Sequence, residues 1–233
     1  MQRGLFFGGL FFLLLVFVLL FFNMQMSTPK SPAIRYVSLG DSYSNGEGET
    51  PQDAWPVLLT RHLREAGYDI ELVANPSVSG WTTQNLIDGE LPQFVVARPT
   101  FATLLIGAND LFQGVEQEIA EKNFVTILDR MQEVIPNKQN IVILTIPNYA
   151  VSPQVSGYKD ISEEQNKILR FNEFIKNEAG KRGLPVVDLF ALTTVMGEDR
   201  SFFTADGLHP SVKQLRLWEE KIFPVVANLL KNT

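Results

Sequence analysis

"YVSLGDSYSNGEG", residues 36–48, runs from a mostly apolar stretch into a loop rich in glycine and small polar side chains. A strand ending in such a loop can cradle a phosphate, turn a corner, or present a nucleophile. The residues argue against the first use. A P-loop needs G-x-x-x-x-G-K-[ST]. Here Gly40 and Gly46 have the wrong spacing, no lysine follows, and Asp41, Glu47 and Glu49 would repel a phosphate. No G-x-G-x-x-G dinucleotide fingerprint occurs in the chain either.

Working outward, the opening stretch belongs to the first of five apolar runs of strand length. They are "IRYVSL" (34–39), "DIELVA" (69–74), "FATLLI" (101–106), "IVILTI" (141–146) and "LPVVDL" (184–189). Several are nearly continuous Val, Ile and Leu, which suits strands covered on both faces. Helical patterns lie between them. "DAWPVLLTRHLREAG" (53–67) puts Trp55, Leu58, Leu59, Leu63 and Ala66 on one face and stops at Gly67. "EQEIAEKNFVTILDRMQEVI" (116–135) does the same with Ile119, Phe124, Ile127, Leu128 and Met131. A third pattern (162–183) opens at Ser162, a good N-cap residue, and stops at Gly183; a last one follows Pro210 and carries Leu215, Trp218, Ile222 and Val226. Strands alternating with helices predict right-handed crossovers and a parallel sheet with helices on both faces. In such sheets ligands sit beyond the carboxyl ends of the strands. The informative tips are therefore Gly40-Asp41-Ser42, Asn75 to Gly80, Gly107-Ala108-Asn109-Asp110, and Pro147-Asn148.

The first residues read differently. From Leu5 to Phe22 no side chain is charged or strongly polar. As a helix this run would be ~27 Å long, close to the ~30 Å hydrocarbon core of a bilayer. Arg3 and the α-amino group precede it, which favours a cytoplasmic N-terminus. The segment 1–26 is expected to be an uncleaved transmembrane anchor or a cleaved signal peptide, with the anchor favoured because no convincing cleavage site follows the run. Gly8-Gly9 could shorten the effective helix, which keeps the signal reading open. Residues 27–33 read as a polar, proline-bearing linker, and 34–233 as one domain. Either reading sends the domain out of the cytoplasm, and the absence of cysteine fits an oxidising compartment. The formal net charge of −6, with no basic run, argues against nucleic acid as a partner and against electrostatic docking on anionic lipid. Membrane attachment would come from the N-terminal segment alone.

With two histidines and no cysteine, any chemistry must use few parts. The acidic residues show no clustered ligand spacing and no EF-hand loop, so no metal is called for. A serine hydroxyl needs a base to take its proton, and histidine titrates in the right range. His62 lies mid-helix beside Leu59 and Leu63 and reads as structural. His209 lies in "FTADGLHPS", where Asp206 three residues earlier could accept its Nδ1–H and leave Nε2 for a serine. An ordinary helix-start box, with Asp206 as a cap and His209 incidental, is the alternative. Acyl transfer also needs donors for the tetrahedral oxyanion. The backbone N–H groups of Ser42 and Gly80 and the side-chain amide of Asn109 all fall at strand tips.

Taken together, Ser42 in "GDSY", Gly80 in "SGWTT", Asn109 in "GAND" and His209 in "DGLHP" resemble the SGNH/GDSL-type serine hydrolases, in family order over about residues 36–214. The resemblance implies a flavodoxin-like three-layer α/β/α sandwich on a five-stranded parallel sheet. It implies Ser42 as nucleophile, His209 as general base and then acid, and Asp206 as its orienting carboxylate. Ser42, Gly80 and Asn109 would form the oxyanion hole, and no cofactor is implied. Tyr43 stands where the family name has leucine, and Ser77 where a further glycine is frequent. The family includes carboxylesterases, thioesterases, lysophospholipases and carbohydrate O-deacetylases, so it does not fix the substrate. The expectation is an acyl esterase, lipase-like or lysophospholipase-like. A deacetylase of envelope glycans is the alternative, and a non-catalytic ligand-binding protein on the same fold a further one. Loops 45–53, 81–93, 111–117 and 147–160 should carry selectivity, with Trp81, Leu111, Phe112, Tyr149 and Val151 available to line an acyl groove. Asp110 is expected to tie down its own loop.

Overall fold

The computed structural model describes residues 33–231. The anchor or signal reading of residues 1–26, and the linker up to residue 32, lie outside the described residues. Among those described, no helix is long and apolar enough to cross a membrane.

The five apolar runs become β1 (Ile34–Gly40), β2 (Ile70–Ala74), β3 (Phe101–Leu105), β4 (Ile141–Leu144) and β5 (Val186–Val187). They form one sheet, paired in parallel in the order β2-β1-β3-β4-β5. This is the doubly wound order that reverses direction between β1 and β3. Every residue of β3 and β4 is buried. Successive strand side chains point to opposite faces, so complete burial requires cover on both.

Four long helices follow the predicted patterns: α1 (Trp55–Glu65), α2 (Gln117–Val134), α3 (Ile161–Lys181) and α4 (Val212–Lys231). α1 packs with α4, and α2 packs with α3. Trp55, Leu58, Leu59 and Leu63 are buried in α1, but Ala66 lies past the helix end and is exposed. In α2 the buried stripe is Ala120, Asn123, Phe124, Ile127, Leu128 and Met131. Ile119 falls off it and is 51% exposed, with Ala120 taking its place. α3 starts earlier than expected: Asp160, not Ser162, caps it by accepting the Glu163 N–H at 2.9 Å. His62 is structural, as read: its ring stacks on Phe223 at 3.6 Å and Nδ1 lies 3.0 Å from Glu219.

The loop expected over 81–93 is instead a composite helix. An α-turn at Thr83–Asn85 runs into a π-helical turn at Leu86–Glu90 and then into an α-helix at Leu91–Ala97. Pro92 reads as a breaker in the sequence. It sits in the first turn of the last piece, just after the π-helical turn whose closing bond runs from the Leu91 N–H to the Leu86 carbonyl. Short helices also occupy part of the other expected loops, at Ala108–Gln113 and Pro153–Ser156.

Candidate active site

Gly40 ends β1, and its need for glycine is steric. A Cβ there would lie 2.4 Å from the Leu105 carbonyl oxygen and 2.4 Å from Ser44 Oγ. Asp41 then caps a single helical turn, Ser42–Asn45, by accepting the Tyr43 N–H at 3.0 Å. Gly46 closes that turn in the left-handed region, donating its N–H to the Ser42 carbonyl at 3.1 Å. The glycines of the opening stretch thus shape a tight turn that holds Ser42 at the carboxyl edge of the sheet.

The next residues carry this turn to the far end of the chain. A Cβ on Gly48 would come within 2.8 Å of Thr204 Cγ2. Glu49 Oε1 accepts the Val212 N–H at 2.8 Å, so it serves the start of α4. Between these two contacts lies the turn with Asp206 and His209. Asp206 Oδ1 accepts the Leu208 N–H at 2.8 Å, the His209 N–H at 3.1 Å and the Thr204 hydroxyl at 2.7 Å. Its Oδ2 stands 2.6 Å from His209 Nδ1. Asp206 thus uses its two oxygens differently: Oδ1 holds the turn together and Oδ2 meets the His209 ring, while the first N–H of α4 goes to Glu49 rather than to Asp206. Tyr43, the departure beside the serine, places its ring edge-on to His209 at 6.3 Å and to Trp218 at 5.8 Å.

Ser42, Gly80, Asn109 and His209 line one hollow of about 250 Å³, together with Tyr43, Glu47, Ser79, Ala108, Phe112, Tyr149 and Leu208. Gly80 adopts a φ of 80°, which favours glycine, and its carbonyl accepts from Gln113 at 2.9 Å. Among the described residues neither the Ser42 nor the Gly80 N–H has a backbone or side-chain acceptor. The Asn109 amide donates to the Trp81 carbonyl at 3.0 Å and, more loosely, to Asp41 at 3.3 Å. Free enzymes often hold their catalytic contacts loosely until substrate binds. The longer Asp41 contact is the one an oxyanion could displace. A wider hollow of about 590 Å³, lined by Gln117, Arg170, Glu173, Phe174, Asn177 and Lys181, contains no serine, threonine or histidine.

Of the expected groove residues, Phe112 and Tyr149 line the hollow, their rings edge-to-face at 6.2 Å. Trp81 and Leu111 do not. The Trp81 indole covers Gly89, where a Cβ would meet it at 2.3 Å, and Leu111 packs on the core. Val151 packs against Gly197. Asp110 does not tie down its own loop. It accepts the Thr83 N–H at 2.8 Å and the Thr83 hydroxyl at 2.6 Å, pinning the composite helix.

The electrostatics divide the carboxyls. Burial acts to raise Asp206, but bonds from the His209 ring, the Leu208 N–H, the Thr204 hydroxyl and the His209 N–H outweigh it and hold Asp206 well below the usual carboxylate range. An anion there stabilises an imidazolium. Burial instead pushes Asp41 up to about 7, against the bond from the Tyr43 N–H and helped by the nearby Asp110. Another buried carboxyl, Glu90, went unread in the sequence. It accepts the Gly40 N–H at 3.0 Å, and burial pushes it up to about 8. Its only sequence signal is an acidic residue between Gly89 and Leu91 in a segment that reads as loop.

Comparisons with known proteins bear on the family and the fold. Residues 38–216 match the GDSL-like Lipase/Acylhydrolase family. An arylesterase of Vibrio mimicus is 30% identical over 131 residues, a match spanning 56% of this chain and 64% of the length of that relative. The psychrotrophic esterase EstA from Pseudoalteromonas sp. shares the fold at 22% identity with a TM-score of 0.65, over 84% of this chain and 98% of its own. Axe2, an acetylxylan esterase from Geobacillus stearothermophilus, does so at 16% identity with a TM-score of 0.67, over 84% and 95%.

Proposed function

Because the chain belongs to the GDSL-like lipase/acylhydrolase family, we propose that it is a serine esterase that hydrolyses acyl esters through Ser42, His209 and Asp206. The observation that carries this reading is the single hollow gathering Ser42, Gly80, Asn109 and His209, with Asp206 2.6 Å behind the histidine. Ser42 Oγ attacks the acyl carbon while its proton passes to His209 Nε2. The carbonyl electrons move onto oxygen, where the Ser42 and Gly80 N–H groups and the Asn109 amide receive the charge. Collapse expels the alcohol, which leaves with the proton from His209. Water, deprotonated by the same histidine, then releases the acid and restores Ser42.

The hollow, about 250 Å³, lies just below the ~300–1,000 Å³ usual for small-molecule sites. That supports compact acyl or aryl esters over long-chain lipids, and the arylesterase relative points the same way. A second reading, removal of acetyl groups from a glycan, is favoured by one polar wall. There Ser79 donates to Glu47 at 2.5 Å and accepts from Asn45 at 3.0 Å. A series of p-nitrophenyl esters of increasing chain length separates these from the lipid-like expectation.

The mechanism is tested with a fluorophosphonate probe. Label is expected on Ser42, and Ser42→Ala should lose esterase activity by ~10⁶-fold. An active protein that stays unlabelled at Ser42, or a Ser42→Ala variant with full activity, would overturn it.

A further inference from the structure

Glu90 ends the π-helical turn Leu86–Glu90 and is fully buried. Its Oε2 takes the Gly40 N–H, at a point where β1 has run past its last pair with β2, Val37↔Ala74. Its Oε1 has no partner, and neither does the buried hydroxyl of Ser44, which also borders Gly40. None of the ion pairs among the described residues includes Glu90, Asp41 or Asp110. A buried carboxylate without a counter-ion is costly to keep ionised, and the nearby Asp41 adds like charge. Asp41 has two donors for its charged form, the Tyr43 N–H and the Asn109 amide. Glu90 has only the Gly40 N–H, so the proton belongs on Glu90.

We propose that Glu90 is a positioning residue for the nucleophile: a carboxyl that holds Gly40 in its neutral form and lets the Gly40-Asp41-Ser42 turn shift when it ionises. This rests on Ser42 being the nucleophile. The neutral carboxyl still accepts the Gly40 N–H and adds a donor in a neighbourhood that includes the unpartnered Ser44 hydroxyl. Charged, it pushes against Asp41, whose backbone carries straight into Ser42.

The charged group acting on Glu90 is Asp41, at the end of β1; Asp110, after β3, acts in turn on Asp41. From the rest of the composite helix and from α2, the polar groups of this cluster are the neutral Thr83 and Asn123. Burial, and secondarily Asp41, keep the Glu90 carboxyl neutral up to about pH 8, against the Gly40 bond. Nucleophilic activity should therefore hold below that pH and fall above it.

The test follows fluorophosphonate labelling of Ser42, together with kcat and KM, across pH for the wild type, Glu90→Gln and Glu90→Leu. Glu90→Gln keeps an acceptor for Gly40 but cannot ionise. It should retain most of the neutral-pH activity and lose the alkaline fall. Glu90→Leu should lower kcat about tenfold or more at every pH through misplacement of Ser42, with little change in KM. An alkaline fall in Glu90→Gln that superimposes on the wild type, or a wild-type kcat in Glu90→Leu, overturns the proposal. If circular dichroism shows Glu90→Leu unfolded, the Glu90→Gln profile decides alone. A wild type that never labels removes the nucleophile and this proposal together. A labelled wild type with an unaltered Glu90→Gln profile removes this proposal only.

Discussion

Asn109 is the residue whose state at rest differs most from its proposed task. Its amide is spent on the Trp81 carbonyl and, at 3.3 Å, on Asp41. Two backbone donors, Ser42 and Gly80, are already free for an oxyanion. Losing the third should hurt without abolishing turnover. Asn109→Ala is expected to lower kcat by ~10²–10³-fold, far less than the ~10⁶-fold of Ser42→Ala. Steady-state kinetics on a p-nitrophenyl ester checks the ranking, and equal losses would mean that Asn109 does more than stabilise charge. Ser42, Gly80 and Asn109 could be proposed from sequence because each stands in a short motif after a strand, and Asp206 and His209 because they share one short turn ahead of the last helix. Glu90 could not, because its meaning depends on burial that only the packed composite helix creates. Trp81 and Leu111 were misread for the same reason: proximity in sequence to Gly80 and Asn109 does not say which way a side chain packs.

At the scale of elements, the strands were the easiest to read. Runs such as "IVILTI" have one use when they are buried on both faces. The composite helix was hidden because Gly89 and Pro92 carry breaker signals that tertiary packing overrides: Gly89 yields to the Trp81 indole, and Pro92 falls in a first turn. The start of α4 also holds something that no local pattern could reveal. Its first N–H is capped by Glu49, from beside the nucleophile. Glu49→Ala should lower stability by about 1 kcal/mol, the usual worth of a helix cap, while Glu49→Gln, which keeps an acceptor, should lose less. Urea denaturation of the three proteins reads the difference. A fully stable Glu49→Ala would show that the contact only decorates the fold.

For the molecule as a whole, no helix among the described residues is long and apolar enough to cross a membrane, and the acidic balance gives no pull toward anionic lipid. We propose that the apolar run Leu5–Phe22 holds the enzyme at a membrane with the domain outside the cytoplasm. Intact-mass measurement on protein from the membrane fraction should return the full chain. A mature species starting after about residue 26 would assign the run to export by cleavage instead.

The lacing of residues 48 and 49 onto residues 204 and 212 also has a consequence in time. Ser42 precedes Asp206, His209 and the helix start that Glu49 caps by more than 160 positions. A growing chain therefore carries its proposed nucleophile for some time before its proposed base has been added. Docking of the 204–212 segment against residues 48 and 49 is then the step that would bring serine and histidine together.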